Sequence, residues 1–150
     1  MSHRHMAWSV VGSVLVVVHD ERAPDDDEWA LWVREYEDRS TQVRAMLIYS
    51  TGGGPSSPQR KKLLDIITRL PRVPSAFMMT SSAAVRGIVT AMSWFLPPAQ
   101  RAKTFRLDEF DRVFGLMALD APARRQVQAE IERLGGSLGS GTGARPGARA

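Results

Sequence analysis

The stretch VRAMLIYSTGGGPSSPQRKKLLDIITRL, residues 43–70, holds the unit that decides the fold. It begins with a run of apolar and β-branched residues, VRAMLIY, whose length suits a strand. Three glycines and a Pro-Ser-Ser-Pro segment break that run. Leu63, Ile66, Ile67 and Leu70 then recur at helical spacing, and Pro71 closes the pattern. Strand, tight corner and amphipathic helix in this order make up half of a βαβ unit.

The same order recurs on both sides. Upstream, residues 14–18 (VLVVV) suit a strand buried on both faces, and residues 7–11 suit a preceding strand, with Gly12 and Ser13 as the turn. Pro24-Asp25-Asp26-Asp27-Glu28 opens a helix, its acids lying where the helix dipole favours negative charge. Trp29, Trp32, Val33 and Tyr36 mark the face of that helix predicted to be buried. Downstream, residues 75–79 suit a strand. A helix capped by Ser81 or Ser82 then runs to Phe95, burying Val85, Ile88, Val89, Met92 and Phe95. Pro97-Pro98 ends it, a short edge strand is expected over residues 102–105, and two more helices follow. Strands alternating with helices predict an α/β fold: one domain with a mixed, mostly parallel sheet of four to five strands, helices packed largely on one face. The expected limits are a flexible N-terminus at 1–6, the domain at 7–134 with a helical extension at 120–134, and a disordered Gly/Ala/Arg-rich tail at 135–150.

Composition narrows the chemistry. The chain of 150 residues has no cysteine, which excludes disulfides, thiolate chemistry and Cys-based zinc or iron–sulfur sites. Residues 1–40 carry nine acids and four bases, residues 41–106 carry ten bases and one acid (Asp65), and residues 107–150 carry six of each. A surface polarised in this way suits an acidic partner. The run 8–18 is too short to span a bilayer and lacks a signal-peptide cleavage site, so no membrane span and a cytoplasmic location are expected. Nucleic acid is not an expected partner, because the basic stretch carries few aromatic residues to stack on bases.

Gly52-Gly53-Gly54 match neither phosphate-loop spacing nor the dinucleotide fingerprint, in which Ser57 would stand for the third glycine. An anion loop built from Ser50, Thr51, Gly52, Gly53, Gly54, Ser56, Ser57, Arg60 and Lys61 remains open at the helix start. Pro55 and Pro58 remove donors from it, and the competing reading makes Ser56 and Gln59 a capping box. The acids at 25–28 lack the alternate spacing of a metal loop, so no metal and no cofactor are expected. His19, with Ser50, Thr51, Ser56 and Ser57 the nearby hydroxyls, lacks a nucleophile elbow.

The pieces SVLVVVHD, VRAMLIYSTGGG, SPQRKKLLDIITRL, PSAFMMTSSAAVRGIVTAMSWF and AKTFRLDEFDRVFGLM run in an order that resembles STAS-fold domains of the SpoIIAA-like, anti-sigma-factor-antagonist type, over residues 7–118. The resemblance implies a non-enzymatic regulatory or scaffold domain that acts through protein–protein interaction. It also implies modulation by phosphorylation at the strand–helix loop, where Ser56 and Ser57 stand. A protein partner follows from it, which the basic residues 41–106 suggest is acidic; a homodimer is left open. Two other readings stay beside this one. One is a carrier of a lipid or anionic metabolite, suggested by Phe77, Met78, Met79, Met92, Trp94 and Phe95. The other is an α/β enzyme using His19 or the glycine loop.

Overall fold

A computed structural model describes residues 4–138. Five strands, β1 (Met6–Val11), β2 (Val14–His19), β3 (Ala45–Ser50), β4 (Ser75–Thr80) and β5 (Lys103–Phe105), form one sheet in the order β1-β2-β3-β4-β5. Five α-helices join and cover them: α1 (Asp26–Arg39), α2 (Ser57–Ile67), α3 (Ala83–Ser93), α4 (Phe110–Leu116) and α5 (Ala121–Ser137). β1 and β2 form an antiparallel hairpin, and β2 to β5 run parallel. Gly12, at φ 57°, makes the hairpin turn in a conformation that a β-carbon disfavours. The α/β class and the mixed five-stranded sheet are those that the sequence pattern predicts.

Strand order dictates where the helices go. Each parallel strand is added on the same side of the one before, so right-handed crossovers put α1, α2 and α3 on one face. The chain then turns back, and α4 and α5 cover the other face, α5 lying across β1 and β2. Three helices therefore share one face and two close the opposite one. Strand parity sorts the core accordingly. Val14, Val16, Val18, Ala45, Leu47, Phe77 and Met79 meet α4 and α5 through Val113, Phe114, Val127 and Ile131. Leu15, Val17 and Met46 meet α1 and α2 through Trp29, Trp32, Tyr36, Leu63 and Ile67.

The helix starts follow their residue chemistry. Asp25 caps α1 by accepting from the Glu28 N–H, and Asp120 caps α5. Trp32 lies between Trp8 and Tyr36, at centroid distances of 5.5 and 5.8 Å. β1 begins at Met6, which is fully buried, and Glu28 Oε1 accepts from the His5 and Met6 N–H groups at 2.8 and 2.9 Å. Glu28 is thus a buried anchor for the first strand, although the sequence places it among helix-start acids. α5 runs to Ser137, three residues past the expected end of the helical extension; the rest of the expected tail, from residue 139, lies outside the described residues.

One expected buried face is corrected. α3 stops at Ser93, and Val85 and Val89 are buried, but Phe95 is 71% exposed and Trp94 is 75% exposed. The helical phase that would bury Phe95 is lost two residues before it, where the chain leaves the helix ahead of Pro97-Pro98.

Candidate functional site

The carboxyl edge of the parallel strands is where open α/β sheets place their ligands. Here it carries three polar side chains in register: His19 ends β2 opposite Ser50, and Ser50 ends β3 opposite Thr80 of β4. Equal register and parity point all three toward the face covered by α1, α2 and α3, with neighbouring strands about 4.8 Å apart. All three are buried.

Their hydrogen bonds differ. Ser50 Oγ donates to the Gly53 carbonyl at 2.7 Å and accepts from the Gly52 N–H at 3.3 Å, so it shapes the glycine corner. Thr80 Oγ1 accepts from the Ser82 N–H at 3.1 Å, fixing the turn into α3. His19 holds the corner through its backbone carbonyl, which accepts from the Thr51 N–H at 3.3 Å. Its ring makes no such commitment: Nδ1 is buried without a partner. Burial pushes the His19 pKa down to about 4, against a smaller upward pull from the Asp20 carboxylate, so the imidazole is neutral at neutral pH. Glu28 Oε2 is a second buried polar atom without a partner.

Beside this edge lies a cavity of about 100 Å³ between the sheet and helices α1–α3. Its walls are mostly apolar, with Trp29, Trp32, Met46, Met78, Val85 and Leu96 among them, and its polar lining residues are His19, Tyr36, Ser93 and Gln100 beside the backbone of Gly53 and Gly54. The glycine corner closes one end. Gly53 donates to the Asp20 carbonyl at 2.7 Å, and a β-carbon there would stand 2.1 Å from the Arg22 carbonyl oxygen and 2.6 Å from that of Asp20. Only glycine permits so close a crossing of the β2–α1 connection.

The residues expected to form an anion loop are placed as follows. Ser50, Gly52, Gly53 and Gly54 build the corner, while Thr51 is exposed. Ser56 caps α2 in a reciprocal capping box: its hydroxyl accepts from the Gln59 N–H, and the Gln59 side chain accepts from the Ser56 N–H. Ser57 is the first helical residue and is exposed. Arg60 donates to the Pro55 carbonyl at 3.0 Å, and Lys61 is exposed on the outer side of α2. The donors that an anion would use at this helix start are therefore partly taken by the chain itself.

Gln59 is a residue that sequence reasoning assigns only to the cap. It is buried, and its amide donates to the Pro24 carbonyl at 2.9 Å and to Asp26 at 3.0 Å. Its backbone carbonyl accepts from Trp29 Nε1 at 2.8 Å. It thereby staples α2 to α1 and orients a wall of the cavity. The Met and aromatic set proposed as a ligand site divides three ways: Met78 and Met92 line the cavity, Phe77 and Met79 pack on the opposite face, and Trp94 and Phe95 are exposed. Among the described residues there is no cluster of His, Asp and Glu able to hold a metal ion, and no helix long and apolar enough to cross a membrane.

The chain matches no family model and no curated protein. It is similar to solved structures of enoyl-CoA hydratases. With one from Mycobacterium avium subsp. paratuberculosis it shares 14% identity at a TM-score of 0.43, over 89% of this chain and 85% of that one. With a probable enoyl-CoA hydratase from Mycobacterium thermoresistibile it shares 8% identity at 0.39, over 87% and 88%. With a putative enoyl-CoA hydratase/isomerase from Acinetobacter baumannii it shares 12% identity at 0.40, over 91% and 89%.

These neighbours are enoyl-CoA hydratases and not STAS proteins, which overturns the expected SpoIIAA-like membership. The expectation of a non-enzymatic regulatory domain, with its phosphorylated serine loop, falls with it. At these scores the likeness transfers neither an activity nor a substrate.

Proposed function

We propose that the chain is an enzyme acting on a small, largely apolar carbonyl compound at the carboxyl edge of its parallel strands. The observation that carries this reading is His19, a buried neutral imidazole that lines a largely apolar cavity and whose Nδ1 has no hydrogen-bond partner. A histidine held neutral by burial can donate a hydrogen bond to a carbonyl oxygen and polarise it without bringing a charge into the cavity. The apolar walls would take the hydrocarbon part of the ligand, as in pockets where a few polar groups fix orientation. At about 100 Å³ the cavity is smaller than the ~150 Å³ that admits benzene, which limits the enclosed part to roughly four to six non-hydrogen atoms. Ser50 and Thr80 are positioning residues in this scheme: they hold the two loops between which the ligand would enter. The cytoplasm is the compartment in which we place it.

Butyramide, a three-carbon chain on a carbonyl group, is a suitable probe. Trp29 and Trp32 line the cavity, so titration should change tryptophan emission, and the change should be lost in His19→Leu while circular dichroism remains native. A protein whose emission and amide NMR spectrum do not respond to butyramide, or respond equally in His19→Leu, would refute the assignment.

A further inference from the structure

A second surface lies away from the cavity mouth, at the corner where α3 ends. Trp94 and Phe95 are adjacent, and each is more than 70% exposed, so both rings project past their neighbours. The corner beneath them is fixed. The Phe95 N–H donates to the Met92 carbonyl at 3.1 Å, the Leu96 N–H donates to the Ser93 carbonyl at 3.2 Å, and the Leu96 side chain is buried. Two large aromatic residues held outward on an ordered turn are an unusual expenditure of apolar surface in a water-exposed position.

One cation is held at the corner and two line a groove that the corner borders. Arg101 Nε donates to the Leu96 carbonyl at 3.1 Å, which holds its guanidinium beside the turn. Phe95 also borders a groove between α2 and α3 whose rim carries Arg60 and Lys61, with Asp65 its only carboxylate. Among the described residues, Arg60, Lys61 and Arg101 are in none of the ion pairs. Residues 41–106, which supply every part of this surface, carry ten bases against one acid.

We infer that the Trp94–Phe95 corner, flanked by Arg60, Lys61 and Arg101, docks on the surface of an anionic phospholipid bilayer. Aromatic rings with a polar rim settle at the bilayer interface, and the unpaired cations meet the lipid phosphates and carboxylates. A bilayer fits better than an acidic peptide because the aromatic anchors stand proud of the surface. A peptide reader would instead hold such anchors in a concave slot. The mode is peripheral, since no described helix is long and apolar enough to cross.

Sedimentation with vesicles of phosphatidylcholine alone, or with about 30% phosphatidylserine, tests this; each cation near an anionic surface is worth about fivefold in partitioning. The full chain should sediment with the anionic vesicles and remain in solution with the neutral ones, and salt should release it. Trp94→Ala/Phe95→Ala should weaken binding at least tenfold, and Lys61→Glu/Arg101→Glu should abolish it. All four positions are on the surface, so native circular dichroism is expected in both variants. Failure to sediment with anionic vesicles at low salt would overturn the inference. So would binding that the aromatic variant leaves unchanged, which would be unspecific charge attraction. A third overturning result is self-association in ultracentrifugation that Trp94→Ala/Phe95→Ala removes in the absence of vesicle binding; the corner would then be covered by a second copy of the chain.

Discussion

Lowering the pH should destabilise this protein through His19, and the size of the effect follows from its burial. The side chain ends β2 with Nδ1 unpartnered, and its pKa falls from 6.5 to about 4 in the folded state. In the unfolded chain the ring is hydrated and titrates near 6.5. Between those values the unfolded state binds a proton that the folded state refuses, so stability rises with pH. The contribution is complete above pH 6.5 and is lost as pH falls toward 4. Integrated from about pH 7.5 to about pH 4.5, it amounts to roughly 2–3 kcal/mol, a substantial part of a typical domain's stability. Urea unfolding followed by tryptophan fluorescence over this range gives the slope directly. His19→Gln keeps a polar side chain of similar reach that does not titrate, and it should flatten the profile by that amount whatever its stability at neutral pH. Every other group is common to the two proteins, so the difference between their profiles isolates His19. Parallel profiles for the two proteins would refute the claim that His19 is buried neutral, and with it the proposed carbonyl-polarising role.

Three further outcomes are expected. Gly53→Ala places a β-carbon 2.1 Å from a backbone oxygen, so the two connections must separate; a loss of about 3 kcal/mol or more in the unfolding free energy measured in urea is expected. Gln59→Ala leaves the Pro24 carbonyl and the Ser56 N–H without their partner, costing about 2–4 kcal/mol by thermal or chemical unfolding, and Gln59→Glu should not rescue the donor to Pro24. Thr80→Val removes the acceptor for the Ser82 N–H at nearly constant volume. A loss of about 1 kcal/mol is expected, with faster hydrogen exchange at that amide, and Thr80→Ser should restore both.

The periodicities along the chain carried most of the architecture. Apolar runs of strand length, caps such as Asp25 and Ser56, and terminators such as Pro71 all act locally, so their positions are visible in sequence. What acts at a distance was not. The return of α4 and α5 across the second face depends on strand order, which no local pattern states. Phe95 shows the complementary limit: its spacing matches the buried face of α3, yet the helix ends at Ser93 and the ring turns outward. The order of elements resembled STAS domains because βαβ units of this length are shared by many folds, and order alone does not separate them.

The site was less legible than the fold, for a reason that lies in β2. Its residues VLVVVH are all buried, so hydrophobic alternation gives no clue to which face each side chain takes. The parity of His19 is set only when β2 pairs with β3 in the register Val14 to Ala45, and a slip of one residue would turn it to the opposite face. The glycines at 52–54 drew notice to Ser56 and Ser57 because they are neighbours in sequence, yet both serines belong to the start of α2. The polar edge is instead assembled from His19, Ser50 and Thr80, one from each of three successive strands. In the sequence these three residues stand about 30 positions apart, each just past an apolar run, and nothing local links them. Parallel register makes the same residues into neighbours, and the burial that holds His19 neutral follows from the helices that the monotonic strand order packs above it.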